Sequence, residues 1–373
     1  MKRALQAAVG FAISAGALWL TLRGKDLGAI WGAAREADYR VLLPYLLTLV
    51  AIHLIRTVRW GILLEPVAKV PFSRLNAATA VGFMALVLFP FRLGEFARPY
   101  LVADRPRLRM SSALSSIVVE RVADGLFTGL LLVATLLAVP AGTPGLRVIR
   151  VAGVAVSLAF AGLLAFLVVA YRSRALAVRF TARALGPFSP RLAARAAGMV
   201  DAFITGLRLV PSRAKVALFV ALTLGYWGLS GWGMQILARG FGIQLDAAQA
   251  FTVLGVLVVG VMIPAGPGMV GTFQGAVVIG LSLFTSREVT ATHGLAYANV
   301  LWAVQVGFQT LLGLAFLPSR HIRLAQLLAA PAASGAELEE EEAEAAGAGR
   351  SAGEAGAGRA APGAVGRGGD RPA

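Results

Sequence analysis

The segment FPFRLGEFARPYL, residues 89–101, combines charged side chains with residues that break a helix. Arg92, Glu95 and Arg98 follow one another at intervals of three, which places them on one side of a short helix. Guanidinium groups bind phosphate oxygens bidentately, so the surplus positive charge of this triad predicts an anion site. The alternative is an interfacial loop whose arginines extend along apolar surface into water.

A second group of charges, Glu120, Arg121 and Asp124, lies at the start of a long apolar run. Glu120 and Asp124 are one helical turn apart, and Arg121 can pair with Asp124. Such groups inside a hydrophobic helix predict partners for nearby arginines, a proton site or contacts to a substrate. A structural ion-pair network is the alternative.

A third group is His53, Arg56 and Arg59, spaced by threes within HLIRTVRWGILL. We expect Arg56 and Arg59 to contribute to a polar cavity, although Arg59 is close enough to the helix end to extend towards the interface instead. Trp60 is expected in an interfacial aromatic belt. The chain has only three histidines and no cysteine, so we expect no zinc centre, no disulfide and no cofactor.

The fourth group is an interruption in a hydrophobic stretch, IPAGPGMVGTFQ. Apolar halves flank Pro264, Gly266, Pro267, Gly268 and Gly271. This pattern is typical of a discontinuous, re-entrant helix pair whose second half directs N–H groups at the break. Gln274 could add a side-chain hydrogen bond to an anionic head group, and the alternative is a tight turn between two short packed helices.

Hydrophobic segments surround these groups, and 57% of the 373 residues are hydrophobic. Full spans are predicted at 4–22, 41–64, 113–139, 147–170, 216–238 and 293–317, and interrupted segments at 75–102 and 246–284. A span needs about 20 apolar residues, so we predict an all-α, polytopic transmembrane helix bundle of about eight membrane segments, one or two of them broken or re-entrant. GYWGLSGWG, Gly225 to Gly233, is expected to mark close helix packing.

The net charge of +16 comes mostly from arginines between the hydrophobic segments. This placement predicts contacts with anionic lipid head groups and argues against nucleic-acid binding. Within a transmembrane domain of residues 1–320, residues 171–215 are predicted to form basic interfacial helices, or else an ordinary basic loop. Residues 321–373, rich in Ala, Gly, Glu and Arg, predict a disordered tail.

The distribution of Lys and Arg leaves two topologies open. If both interrupted segments are hairpins, the N-terminus is cytoplasmic. If residues 75–91 cross the membrane fully, the N-terminus lies outside. Both topologies put residues 92–112, residues 171–215 and the C-terminal tail in the cytoplasm.

Four stretches in this order, RTVRW, RLGEFARPYL, ERVADGL and IPAGPGMVGTFQ, carry a family resemblance. Over residues 1–320 the chain resembles the lysylphosphatidylglycerol synthase transmembrane-region family, whose members include stand-alone flippase-like proteins. The positions that match its motifs are Arg92, Gly94, Glu95, Arg98, Glu120, Arg121, Asp124, Pro264, Pro267, Gly268 and Gly271.

The resemblance implies a multi-pass protein of the bacterial inner membrane that handles lipids. Gln274 stands where a glutamate is usual, which weakens the expectation of a proton-coupled role there. The last predicted span also lacks an arginine that is often present. No lysyl-transferase domain is recognisable, so we expect this chain not to make lysylphosphatidylglycerol.

We therefore expect a lipid translocase for an anionic, amino-acylated or polyprenyl-phosphate-linked lipid. Arg92 and Arg98 would hold phosphate, Glu95 would orient them, and Glu120 and Asp124 would balance charge or contact a cationic head group. One alternative is a membrane-embedded transferase with one of these carboxylates as general base. Another is a non-catalytic partner in lipid or polysaccharide export. Expected partners are a phospholipid or polyprenyl-phosphate lipid, a second copy of the chain and a lipid-modifying enzyme.

Overall fold

The computed structural model describes residues 2–89, 94–103, 108–137, 139–140, 142–143, 145–187, 189, 193, 197, 200, 212–263 and 265–317. Candidates Arg92 and Pro264 lie outside this set, as do the predicted tail 321–373 and most of residues 186–211. Within the described residues the chain is helical and contains no strand, which confirms the predicted all-α class.

The helices follow the predicted segments closely. They are α1 Lys2–Leu22, α2 Leu27–Glu36, α3 Leu42–Leu64, α4 Phe72–Leu88, α5 Ala97–Val102, α6 Met110–Leu136, α7 Leu146–Arg172, α8 Arg174–Leu185, α9 Arg213–Gly240, α10 Ala247–Val261, α11 Thr272–Leu281 and α12 Arg287–Phe316. Four segments are long and apolar enough to cross a bilayer: Tyr39–Leu64, α7, α9 and α12. Helix α6 has 27 residues, matching α7 in length, but carries three charges in its middle.

Polar residues fix several helix starts outside the apolar segments. Asp26 accepts hydrogen bonds from the first N–H groups of α2. Asp246 and Gln249 form a reciprocal capping box at the start of α10. These caps satisfy backbone donors that have no partner inside the helix, so they determine where each helix begins.

The first interrupted segment doubles back on itself. Gly94 lies so close to the backbone of Ala85 and Leu86 that no side chain would fit there, and Arg98 packs on Gly82. At the start of α4, Arg74 Nη2 donates to the carbonyl of Ala103, at 3.4 Å. Helix α5 therefore returns along α4, and both ends of the segment lie on the same side of the bundle.

The second interrupted segment is also a hairpin. Gly260 of α10 packs on Ala276 of α11, and Gly280 of α11 packs on Val253 of α10, so the two helices are antiparallel. A 3₁₀ turn, Pro267–Met269, forms the tip. Gly268 adopts a positive φ of 69° there, a conformation that favours glycine.

The tip of this second hairpin lies against the middle of two long helices. The Gly266 N–H donates to Ser14 Oγ of α1, at 2.9 Å. The Trp302 indole N–H of α12 donates to the Gly268 carbonyl, at 2.6 Å. Irregular backbone at membrane depth requires such protein partners, so the segment is a broken membrane helix pair as predicted.

The two hairpins approach from opposite sides. Helices α3 and α9 are antiparallel, with Lys215 bonded to Glu65 at one end (2.9 Å) and the Asp38 N–H bonded to the Gly240 carbonyl at the other (2.8 Å). Helix α4 begins at the Glu65 end and α10 begins at the Gly240 end. The tip of the second hairpin contacts α4, so the hairpins meet inside the bundle.

The direction of α1 separates the two topologies that the charge distribution left open. Gly10 of α1 lies near Gly266, whereas Thr21 lies near Gly275, so α1 runs from the hairpin tip towards the base of α11. The N-terminal end of α1 is therefore on the side where α4 begins. This is the topology in which both interrupted segments are hairpins.

Candidate functional site

A cavity of about 420 Å³ lies where the two hairpins meet. Helices α3, α4, α6, α9, α10 and α12 contribute to its wall, together with Met262 and Met269 beside the tip of the second hairpin. Its charged lining residues are Arg56, Glu95, Arg121 and Asp124, and His53 lines it as well. Three of the four sequence-predicted groups thus contribute side chains to one cavity.

A continuous chain of ion pairs lies behind this cavity. Arg98 Nη2 is 3.0 Å from Glu120 Oε2, and Arg121 Nη2 is 3.0 Å from Glu120 Oε1. Arg121 Nη2 is also 3.7 Å from Asp124 Oδ2, and Arg59 Nη2 is 2.6 Å from Asp124 Oδ1. Glu120 and Asp124 lie one turn apart on α6. Their carboxylates therefore meet arginines from α3, α5 and α6 itself.

Two expectations about α3 are wrong, for the same reason. Arg59 does not extend to the interface, because its side chain is fully buried against Asp124. Trp60 does not lie in an interfacial belt, because it is fully buried and its indole N–H donates to Ser116 Oγ, at 2.9 Å. Helix α6 packs against α3 where Arg59 and Trp60 lie, so both side chains contact protein and not the lipid interface.

Aromatic rings hold the buried guanidinium groups in place. The Arg98 guanidinium carbon lies 4.4 Å from the centre of the Trp60 ring. The same atom of Arg59 lies 4.8 Å from the centre of the Phe219 ring. Cation–π contacts of this kind stabilise a charge in a site that water does not reach.

Arg56 differs from the other arginines of the site. It lines the cavity, donates a hydrogen bond to Tyr226 Oη at 2.8 Å, and stacks on Phe83 with 4.3 Å between the guanidinium carbon and the ring centre. Among the described residues it has no carboxylate within 4.0 Å. Its positive charge therefore remains available to an anion in the cavity.

Arg98, by contrast, does not line the large cavity. Both terminal nitrogens of its guanidinium face Glu120, at 3.0 and 3.4 Å. A separate pocket of about 10 Å³ touches Arg98, Glu95 and Arg121, and it is just large enough for one water molecule. We therefore do not assign phosphate binding to Arg98, whose position suits a structural counter-ion of Glu120.

His53 lies one helical turn before Arg56 and also faces the cavity. Its Nε2 is hydrogen-bonded to Asn76 Oδ1, at 2.8 Å, which ties α3 to α4. Thr57 adds a weaker contact to the same oxygen, at 3.4 Å. The histidine is thus a hydrogen-bonded part of the cavity wall.

The residues of the second break have structural contacts. Gly271 lies against the α1 backbone at Ser14 and Leu18, and its N–H donates to Gln274 Oε1 at 2.7 Å. Gln274 therefore caps α11 from within, and neither residue lines the cavity. Gly266, Pro267 and Gly268 likewise lie outside the lining, and they position Met269 and Phe273, which do line it.

Sequence reasoning did not assign the uncharged polar residues of the wall to a site. These residues are Tyr45, Thr128, Tyr226, Ser230, Gln305 and Gln309. Tyr226 belongs to GYWGLSGWG, which was expected to mark packing, and Gly231 and Gly233 do approach Phe251 and Tyr45 closely. Two glutamines one turn apart in a hydrophobic span were the available signal for a polar face on α12.

The described residues contain no group of three or more His, Cys, Asp or Glu side chains that could hold a metal ion. A family model described as "Lysylphosphatidylglycerol synthase TM region" matches residues 7–313 of the chain. No curated protein and no solved structure shows a match.

Proposed function

We propose that this chain, which belongs to the lysylphosphatidylglycerol synthase TM region family, moves an anionic lipid head group across the membrane. The observation that carries the proposal is Arg56, a cavity-facing guanidinium without a carboxylate partner among the described residues. The cavity volume of about 420 Å³ lies within the roughly 300–1,000 Å³ that is usual for ligand sites. A phosphodiester at Arg56 would receive the charge-assisted hydrogen bonds that the site now lacks.

Arg121 supports the same role. Its side chain is 30% exposed, whereas Arg59 and Arg98 are almost fully buried. Arg121 bonds Glu120 and approaches Asp124, so the carboxylates hold its guanidinium at the cavity wall without consuming all of its donors. Arg56 and Arg121 would bind the phosphate together, and Glu95 and Asp124 would keep the empty cavity close to neutral.

A head group crosses a bilayer slowly because it must lose its water before it enters the hydrocarbon. A polar cavity between the two hairpins would replace those hydrogen bonds part of the way across the membrane. The barrier then falls without nucleotide hydrolysis, for which the sequence contains no Walker motif. The acyl or prenyl chains would remain in the lipid outside the bundle.

The side on which α4 begins also carries Lys69, Arg213, Lys215 and the basic helix α8 with Arg179. Basic residues collect on the cytoplasmic side of membrane proteins. We therefore propose that this side of the bundle faces the cytoplasm of a bacterial cell, as expected for residues 171–215 and the C-terminal tail, and that the chain lies in the inner membrane.

The test is reconstitution of the full chain into liposomes that carry fluorescent phosphatidylglycerol. Wild type should speed transbilayer movement, and Arg56→Gln should slow it about tenfold or more, because a hydrogen bond to a charged group contributes about 1.5–3 kcal/mol. Lys215→Gln removes one exposed positive charge and serves as the matched control. If the rate of lipid movement in liposomes with the wild-type protein equals the rate in protein-free liposomes, the proposal is refuted.

A further inference from the structure

The cavity has a charged end and an uncharged end, and helix α3 shows how far apart they are. Arg56 and His53 lie at one end and Tyr45 at the other. At about 1.5 Å per residue, Arg56 and Tyr45 are roughly 16 Å apart along the helix axis. That distance is about half the hydrocarbon thickness of a bilayer.

Helix α12 follows the same direction on the opposite wall. Gln305 Nε2 donates to Tyr45 Oη at 3.0 Å, which fixes Gln305 at the uncharged end. Gly313 packs on Met84, next to the Phe83 ring that stacks on Arg56, which fixes Gly313 near the charged end. Gln309 therefore lies between the two ends, about 6 Å from the level of Gly313.

Two polar groups of the cavity wall, in Gln309 and Trp227, have no hydrogen-bond partner within the described part of the protein. Gln309 lines the cavity and makes no hydrogen bond to another described residue. Trp227 is 5% exposed and lines the same cavity, and its indole N–H has no hydrogen-bond partner among the described residues. A ligand or water in the cavity would supply the hydrogen bonds that these groups lack.

The chemistry of these groups selects the class of ligand. An amide both donates and accepts hydrogen bonds, as a hydroxyl does, whereas an indole N–H only donates. No Asp, Glu, Lys or Arg lines the cavity between Gln309 and Tyr45. The cavity carboxylates are already engaged, because Asp124 pairs with Arg59 and Glu95 interacts electrostatically with Arg121. An ammonium group would therefore find no unpaired acid.

We infer that Gln309 and Trp227 form a second subsite, which binds an uncharged, hydroxyl-bearing group attached to the phosphate held at Arg56. The inference rests on the proposed function for the phosphate position. A glycerol or a sugar ring has the required chemistry, and either would extend from Arg56 towards Gln309. The subsite would make the protein prefer such lipids over phosphatidic acid, whose phosphate carries no head-group alcohol.

The test compares three lipid probes: phosphatidylglycerol, phosphatidylinositol as a ring polyol, and phosphatidic acid. Binding to the purified full chain is measured by native mass spectrometry, and transbilayer movement is measured in liposomes. Gln309→Met keeps the side-chain size and should weaken binding of the two hydroxylated lipids about tenfold while leaving phosphatidic acid unchanged. Gln309→Asn should restore part of the preference, and Thr310→Val, a neighbour outside the cavity lining, should preserve it.

Comparison of the two hydroxylated lipids also shows whether a glycerol or a ring polyol binds the subsite more tightly. Equal affinity of wild type for all three lipids, or an equal loss for all three in Gln309→Met, would overturn the subsite. Selective binding without transbilayer movement would leave the subsite standing and refute the translocase proposal instead.

Discussion

Arg59 of α3 and Asp124 of α6 form an ion pair of 2.6 Å in which the arginine side chain is fully buried and the aspartate is 9% exposed. The two remaining donors of the guanidinium, Nε and Nη1, have no hydrogen-bond partner among the described residues. Among the described residues, Asp124 is the single carboxylate within 4.0 Å of this buried charge. The stability of the bundle therefore depends on the carboxylate of Asp124.

The first prediction concerns this ion pair. Asp124→Asn should destabilise the protein by about 3–5 kcal/mol, because it leaves the Arg59 charge buried without compensation. The double variant Arg59→Met, Asp124→Leu should recover most of that loss, since it removes both charges and keeps the volume filled. Thermal unfolding of the purified protein in detergent measures both changes.

The matched control is the Lys215–Glu65 pair, whose side chains are 43% and 39% exposed. Exposed pairs contribute about 0–1 kcal/mol, so Glu65→Gln should leave the unfolding temperature nearly unchanged. Equal losses in Glu65→Gln and Asp124→Asn would contradict the assignment of Arg59–Asp124 as a buried ion pair.

The second prediction concerns the turn of the first hairpin. A methyl group at Gly94 would collide with the backbone of Ala85 and Leu86, which cannot move aside as a flexible side chain can. Gly94→Ala should therefore open the hairpin and lower both stability and lipid movement. Gly228→Ala, on α9, meets no atom within 4 Å and should stabilise the helix by up to about 1 kcal/mol. A fully active, fully stable Gly94→Ala protein would show that the two arms do not pack as described.

The third prediction compares two helix caps with the same chemistry. Gln274 Oε1 accepts from the buried Gly271 N–H, at 2.7 Å, and Gln249 Oε1 accepts from the exposed Asp246 N–H, at 3.1 Å. Gln274→Met should cost about 1–3 kcal/mol because the donor is left without a partner. Gln249→Met should cost less, since water can replace the side chain. Unfolding in detergent measures both, and a smaller loss at Gln274 than at Gln249 would argue against the buried cap.

The fourth prediction tests the topology directly, using the absence of cysteine from the chain. Single variants Lys69→Cys and Ser212→Cys should react with an impermeant thiol reagent from one side of the membrane. Lys25→Cys and Asp246→Cys should react only from the opposite side. Labelling of Lys69→Cys and Ser212→Cys from opposite sides would exclude the arrangement with two hairpins, because residues 65–74 and 171–215 share a side only in that topology.

The sequence predicted the helices well because hydrophobic length and helix breakers are local properties. The spans expected at 41–64 and 147–170, for example, are α3 Leu42–Leu64 and α7 Leu146–Arg172. Pairing within α6 was also predictable, because Arg121 and Asp124 are separated by one helical turn.

The sequence could not assign roles to the arginines. Whether a guanidinium is compensated depends on which carboxylate lies opposite it after folding. Arg59 meets Asp124, which is 65 positions away, and Arg98 meets Glu120, 22 positions away. Arg56, only three residues from Arg59, points at Tyr226 on a helix that comes much later in the chain. Local spacing therefore identified the polar groups, and tertiary packing decided which of them keeps its charge available.

The contact of Gly266 with Ser14 joins the two ends of the hydrophobic region. During translation the ribosome releases the first helix long before the segment around Gly266 exists. Until that segment is made, the wall of the cavity is incomplete around the charged residues of the first hairpin. The contact between α1 and the second hairpin can therefore form only late in synthesis, after residue 266 has been added to the chain.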